Sequence, residues 1–338
     1  MEQVVVDTQK YQSLLMHYHY QFGEYVPSYL LIILATKEPI TNIEILDEES
    51  QRTFVHEYTH FLQNISTGFG LSHIWNTYDR SRQLISHLQK SKEVSMTFPL
   101  EGEVVDKELS FFKIGRAIEG SYHVKEIQDS SAKVINVEFY KDKLYDAEYP
   151  EAKCEFIKLI LKDKGGNKEN YLFGESAVSE TMAWLMESKY FPEKELYQYP
   201  YQACRHLGEY FDSAITRNDE WLFALCDTCL LSHYPGRMFF LLLKEMKEQN
   251  WIPNDAKEIY KYGVDFMYAQ GWAVWEDLTQ SLKGAIITLN ELYNHPFFHP
   301  TLTWFSETLK KAYKLRWDNV SFMLDLYLLN ETFTNGSS

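Results

Sequence analysis

Apolar and polar positions change their spacing along the chain, and the changes divide it into three stretches. Between residues 1 and 48, Ser28–Ala35 is a continuous apolar run of the kind a buried strand carries, and Ile40–Leu46 alternates like a half-buried one. In Gln51–Ile65 the apolar residues fall at 54, 55, 58, 61, 62 and 65, the ladder of an amphipathic helix. Asp47 and Ser50 are suited to cap it, and Thr67–Gly70 to end it. Leu71–Gln89 predicts a second helix. Residues 93–173 read as β-rich, with strands at His123–Gln128, Ala132–Tyr140 and Cys154–Lys162 separated by polar turns at Asp129–Ser131 and Lys164–Asn167. From Gly174 onward helical spacing dominates: Glu175–Ser188, Tyr201–Ile215, Asp219–Tyr234, Met238–Gln249, Asp255–Leu282, Thr301–Tyr313 and Asn319–Leu329. The expected class is α+β, mainly α. The expected organisation is a region 1–190 with a β-rich insertion at about 93–173, and a helical region 191–338 packed on it as one unit.

Composition narrows the function. With 45% hydrophobic and 16% aromatic residues, the 338-residue chain can bury a large core, which excludes disorder as its main state. A net charge of −15 argues against nucleic acid as a partner. No apolar run approaches the roughly 20 residues of a membrane span, so no membrane association is expected. Four cysteines do not make a disulfide scaffold, and the first residues lack the pattern of a signal peptide. The expected location is cytoplasmic, where the triplets at Asn330 and Asn335 carry no glycan.

The chemistry is concentrated at His56-Glu57-Tyr58-Thr59-His60, an H-E-x-x-H motif inside the first helix. Residues four apart lie one above the other on a helix, so both imidazoles can reach one ion. Zn²⁺ accepts neutral imidazole nitrogen and lowers the pKa of a bound water to about 7. Glu57 is placed to take that water's proton as general base and pass it to the leaving amine. The competing reading is two satisfied histidines on a core helix with Glu57 solvated.

Catalytic zinc keeps three protein ligands. The metzincin extension is absent, since Gln63 and Ser66 stand where its glycine and third histidine belong. A downstream carboxylate is the alternative, and Leu172–Ser188 offers Glu175, Glu180 and Glu187 on one predicted helix. Paired with H-E-x-x-H, the segment Glu180-Thr181-Met182-Ala183-Trp184-Leu185-Met186-Glu187 has the form E-x-x-A-x-x-x-E and resembles the gluzincin metallopeptidases. The resemblance spans about thirty residues and implies zincin-like active-site helices. It makes Glu180 the third zinc ligand, with Ala183 small enough for the two helices to approach. His60 and Glu180 stand further apart than in most gluzincins, and a β-rich insertion accounts for the gap. Glu175 is the rival ligand: it lies about 140° around the helix from Glu180, so only one of them can face the ion.

Other groups are weaker. Cys226, Cys229 and His233 share a helix face and, with Cys204 or His206, could form a second metal site; buried core thiols are the favoured reading. His233, Tyr234 and Arg237 on a helix-breaking segment are candidate oxyanion donors, as are His295 and His299. His17 and His19 read as packing residues. No phosphate-binding glycine loop and no Gly-x-Ser-x-Gly motif occurs. The expected function is a zinc metallopeptidase acting on peptides or proteins, with its cleft between the two site helices and the β-rich segment as one wall. An edge strand there would bind extended substrate, and the helical half would restrict access. The alternatives are a non-catalytic or regulatory binding protein on the same scaffold, and a protease effector controlled by a regulatory partner protein.

Overall fold

The computed structural model describes residues 23–36, 42–91, 103–121, 132–144, 151–191 and 199–329. The predicted strand at His123–Gln128, His17 and His19, and the triplets at Asn330 and Asn335 lie outside them. The described residues are mainly helical, with two small antiparallel sheets.

The first sheet is a hairpin of β1 (Gly23–Val26) and β2 (Leu31–Leu34), with Gly23 opposite Leu34 and Val26 opposite Leu31. Ser28–Ala35 is therefore not one buried strand: a 3-10 turn at Pro27–Tyr29 opens it, and Leu31 and Ile33 are exposed. Within Ile40–Leu46, residues 43–45 form a 3-10 turn rather than a strand. The Asn42 side chain accepts a hydrogen bond from the Glu44 backbone N–H, a local bond that competes with a sheet ladder.

Helix α1 (Glu48–Ser66) starts at Asp47, whose carboxylate accepts from the Ser50 N–H at 2.8 Å, and Glu48 and Glu49 add negative charge to its first turn. It stops at Thr67, whose hydroxyl donates to the Gln63 carbonyl and accepts from the Gly70 N–H. The next helix, α2 (Gly68–Ser91), thus begins within the expected stop signal. The turn is tight enough that a Cβ on Gly70 would sit 2.1 Å from the Asn64 carbonyl oxygen.

The expected β-rich stretch also holds a helix, α3 (Glu103–Glu119), followed by the antiparallel sheet β3 (Lys133–Lys143), β4 (Lys153–Lys162) and β5 (Lys168–Phe173) in that order. The turn from β4 to β5 is the predicted Lys164–Asn167, closed by Asp163 accepting from Asn167 and by Gly166 at φ +88°.

Then follow α4 (Glu175–Tyr190), α5 (Ala203–Tyr210), α6 (Asp219–Leu230), α7 (Pro235–Glu248), α8 (Ala256–Ala269), α9 (Val274–Leu292), α10 (His299–Asp318) and α11 (Phe322–Leu328). The helix expected over Asp255–Leu282 is two helices. Gly271 takes φ +83°, and the Trp272 N–H reaches back to the Met267 carbonyl, so the chain turns at a glycine C-cap.

Two apolar cores hold these elements. One joins the inner face of β3–β5 to α4, α6, α7 and α8; the other joins α1 and α2 to α9 and α10. Each draws side chains from both sides of residue 190. The carboxyl end of α1 is pinned by Arg316 of α10, which is fully buried. Arg316 donates to both Asp227 carboxylate oxygens at 2.7 and 2.8 Å and to the Ser66 carbonyl at 3.2 Å, while the Tyr260 hydroxyl also donates to Asp227. Among the described residues no helix is long and apolar enough to cross a membrane.

Candidate metal centre

Helices α1 and α4 pack against each other and bring three side chains to one point. His56 and His60 share a face of α1 by their four-residue spacing, and Glu180 projects from the first half of α4. The His56 Nε2 lies 3.1 Å from Glu180 Oε2, the His60 Nε2 lies 3.3 Å from Glu180 Oε1, and the two Nε2 atoms are 3.2 Å apart. Ligand atoms around a tetrahedral ion with bonds of about 2.0–2.2 Å stand roughly 3.3–3.6 Å apart. The three side chains could therefore hold one divalent ion, and imidazole with carboxylate suits Zn²⁺ among others.

Each imidazole is fixed from behind. His56 Nδ1 faces Glu187 Oε2 at 3.1 Å, and His60 Nδ1 faces Gln63 Oε1 at 2.8 Å. Both oxygens can only accept, so both Nδ1 atoms donate and both Nε2 atoms are turned toward Glu180. Glu187 is held by Arg52 Nη1 at 3.5 Å, and Arg52 Nη2 donates to the Phe191 carbonyl. Gln63 donates its amide to the Ser179 carbonyl at 3.1 Å, tying the two helices together. Arg52, His56, Gln63, Ser179, Glu180 and Glu187 are all buried.

The electrostatics follow from this crowding. Burial works against the charged form of His56, but bonds to Glu180 and Glu187 outweigh it and raise its pKa to about 10. His60 is raised too, burial opposing and Glu180 prevailing. Burial would raise Glu180, yet His60 and His56 hold it well below the usual carboxylate range. Glu57, half-buried beside them, is pushed up by burial against the pull of both histidines, and it accepts a hydrogen bond from the Tyr25 backbone N–H. A cluster that favours positive charge between its members also favours a cation there, with release of the protons.

The donor set lies in a cleft of about 470 Å³. Glu175 lines the same cleft outside the donor set, half-buried and bonded to Ser179, with burial raising its pKa to about 7. Of the described strands, β1 lines the cleft, while β3–β5 do not. The wall expected from the β-rich stretch is therefore the amino-terminal hairpin, helped by Glu119 at the end of α3.

His233, Tyr234 and Arg237 are not among the cleft residues. His233 faces the Ser281 hydroxyl at 3.4 Å, Tyr234 is exposed, and Arg237 lies 3.7 Å from Glu155. His295 caps its own turn, and His299 borders a separate surface groove. The polar groups that do reach the cleft include Tyr25, His73 and Tyr201, whose ring meets that of His56 edge-on at 5.9 Å. Tyr25 donates to Asn64 at 2.9 Å, and burial lowers the pKa of His73. Cys204, Cys226 and Cys229 are buried free thiols within the first core, with no donor cluster around them among the described residues. His206 is bonded instead to the Tyr199 hydroxyl at 2.9 Å.

No family model matches this chain. No curated protein and no solved structure matches it either. The functional reading therefore stands on the chain's own residues.

Proposed function

We propose that the protein is a zinc-dependent metallopeptidase of gluzincin type, with His56, His60 and Glu180 as metal ligands and Glu57 as general base. The observation that carries this is the convergence of three ligand atoms, within 4.8 Å of one another, beside a half-buried carboxylate in an open cleft. When bound, the ion would supply a Lewis acid for the scissile carbonyl and for the attacking water.

The chain's own residues do the rest. Glu57 lines the same cleft as His56 and His60, close enough to interact with both. It accepts the proton of the attacking water and returns it to the leaving amine; burial raises its pKa toward the range such a shuttle needs. The Tyr25 N–H orients one of its oxygens. Glu187 and Gln63 hold the two imidazoles in the tautomer that offers Nε2. An extended substrate would lie along β1, the strand beside Glu57. The reading includes a cytoplasmic location, in keeping with free thiols at Cys154, Cys204, Cys226 and Cys229.

The test is metal analysis of the purified protein together with turnover of a mixed peptide library. Zinc near one equivalent, turnover abolished by chelation, and a loss of about 10²–10⁴-fold in Glu57→Gln with zinc retained are expected. Zinc bound without turnover would leave a binding protein on the same scaffold. No stoichiometric metal would remove the reading.

A further inference from the structure

Seven glutamates and one arginine line the cleft. Glu57, Glu180 and Glu187 already have roles, and Arg52 is taken up by Glu187 and the Phe191 carbonyl. Of the other four, Glu49 on α1 has a partner of its own, which leaves Glu24 on β1, Glu119 at the end of α3 and Glu175 at the start of α4. The last two come together because the backbones of Gly120 and Gly174 touch; a Cβ on Gly174 would sit 2.5 Å from the Glu119 carbonyl. Neither Glu119 nor Glu175 has an ion pair among the described residues. Glu175 precedes Glu180 by five residues on one helix, about 7.5 Å along the axis. Both line the same cleft, and the Glu175 carboxylate lies close enough to feel the charges of His60 and Glu180.

We infer that the cleft selects peptides carrying a positive charge next to the bond held at the donor set, with Glu175 receiving the cation and Glu24 and Glu119 drawing it in. This rests on the peptidase reading for the identity of the ligand as a peptide. The shared chemistry is an alkylammonium or guanidinium group, supplied by a lysine or arginine side chain or by a free amino terminus. A negative cleft in a chain of net charge −15 also speeds the approach of such a ligand, most at low salt.

The experiment measures fluorescence anisotropy of labelled ten-residue peptides with Lys, Leu or Glu at the centre, each with free and acetylated amino termini. They are titrated with Glu57→Gln protein so that bound peptide is not consumed. The Lys peptide is expected to bind about tenfold more tightly than the Leu peptide and more tightly still than the Glu peptide. Glu175→Gln should remove most of that preference and leave Leu binding unchanged. A preference surviving acetylation assigns the side chain, and one lost on acetylation assigns the amino terminus. Equal affinity for Lys and Leu, or a preference untouched by Glu175→Gln, would overturn the inference. Charge-selective binding by the wild-type, zinc-treated protein without cleavage would remove the peptidase and leave the inference standing. Cleavage of Lys and Leu peptides alike would do the reverse.

Discussion

Among the described residues, two buried clusters of charged groups are built on opposite plans. Around Arg316, a guanidinium meets both oxygens of Asp227, and Tyr260 and the Ser66 carbonyl take up further bonding capacity. Arg316 and Asp227 are wholly excluded from solvent. Between α1 and α4, two imidazole nitrogens stand 3.2 Å apart and both aim at one carboxylate, in contact with a cleft. In the first cluster opposite charges saturate each other and nothing more is wanted. In the second, like groups face one another, and only a proton or a cation between them relieves the crowding. Saturation marks a structural pin, and convergence of like donors marks a site.

The sharpest way to break this contrast is to remove one partner from each cluster. His60→Ala should abolish zinc binding at micromolar metal while the protein stays folded, because it takes away one of two mutually repelling groups. Arg316→Met should do the opposite. It leaves Asp227 buried without its partner, at a cost of about 3–5 kcal/mol in denaturant unfolding, with zinc affinity little changed in whatever remains folded. If Arg316→Met lost zinc while its stability held, the division between pin and site would be wrong.

A smaller effect is expected one bond away from the donors. Glu187→Gln keeps the shape of the acceptor that fixes His56 but removes its charge, and weakens its hold on Arg52. Zinc affinity should fall about 10–100-fold. Melting temperature alone would not report this role, so competition against a chelator is the measurement.

The pH dependence separates the clusters again. His56 is raised from 6.5 to about 10 in the folded protein, so the stability it contributes is present below its unfolded pKa and is lost as pH rises through its folded one. Metal-free protein should lose stability between about pH 6.5 and 10. Zinc-loaded protein should not, because the ion takes the place of the protons. A metal-free protein with unchanged stability across that window would show that the carboxylates do not hold the imidazoles charged.

How much of this was visible in the chain alone follows the range of the interactions. The two histidines and Glu57 are legible because one helix turn sets their geometry, and Glu180 because it shares a short pattern with Glu187. Glu187 is already present in that pattern, two turns from Glu180 on one face, yet its bond to His56 depends on how α4 lies across α1. Tyr201, His73 and β1 reach the cleft by tertiary packing, which no local spacing reports. His233, Tyr234 and Arg237 are suitable types on a suitable break, but the break faces Ser281 and Glu155 instead. Helix α3 escapes a reading tuned to the strands around it, since its exposed Phe111 and Phe112 blur the apolar stripe. The split between α8 and α9 escapes the apolar spacing, which continues on both sides, although Gly271, whose positive φ ends the helix, stands in the sequence at that point.

The smallest effects test whether the two plans differ in kind or only in strength. Gln63→Ala removes a neutral acceptor from His60 and a donor from Ser179, and Tyr260→Phe removes a neutral donor from Asp227. Each deletes a hydrogen bond from an otherwise intact cluster, worth about 0.5–1.5 kcal/mol for a neutral pair and more where the partner is charged. In the saturated cluster the loss should appear as stability, about 1–2 kcal/mol, because Asp227 keeps Arg316 and only one lone pair goes unmet. In the convergent cluster it should appear as affinity, zinc weakened about threefold to tenfold with unfolding nearly unchanged, because His60 can then turn and present either nitrogen. If both variants shifted stability alone, His60 would be held by packing rather than by Gln63, and the convergence of the donors would owe nothing to the groups behind them.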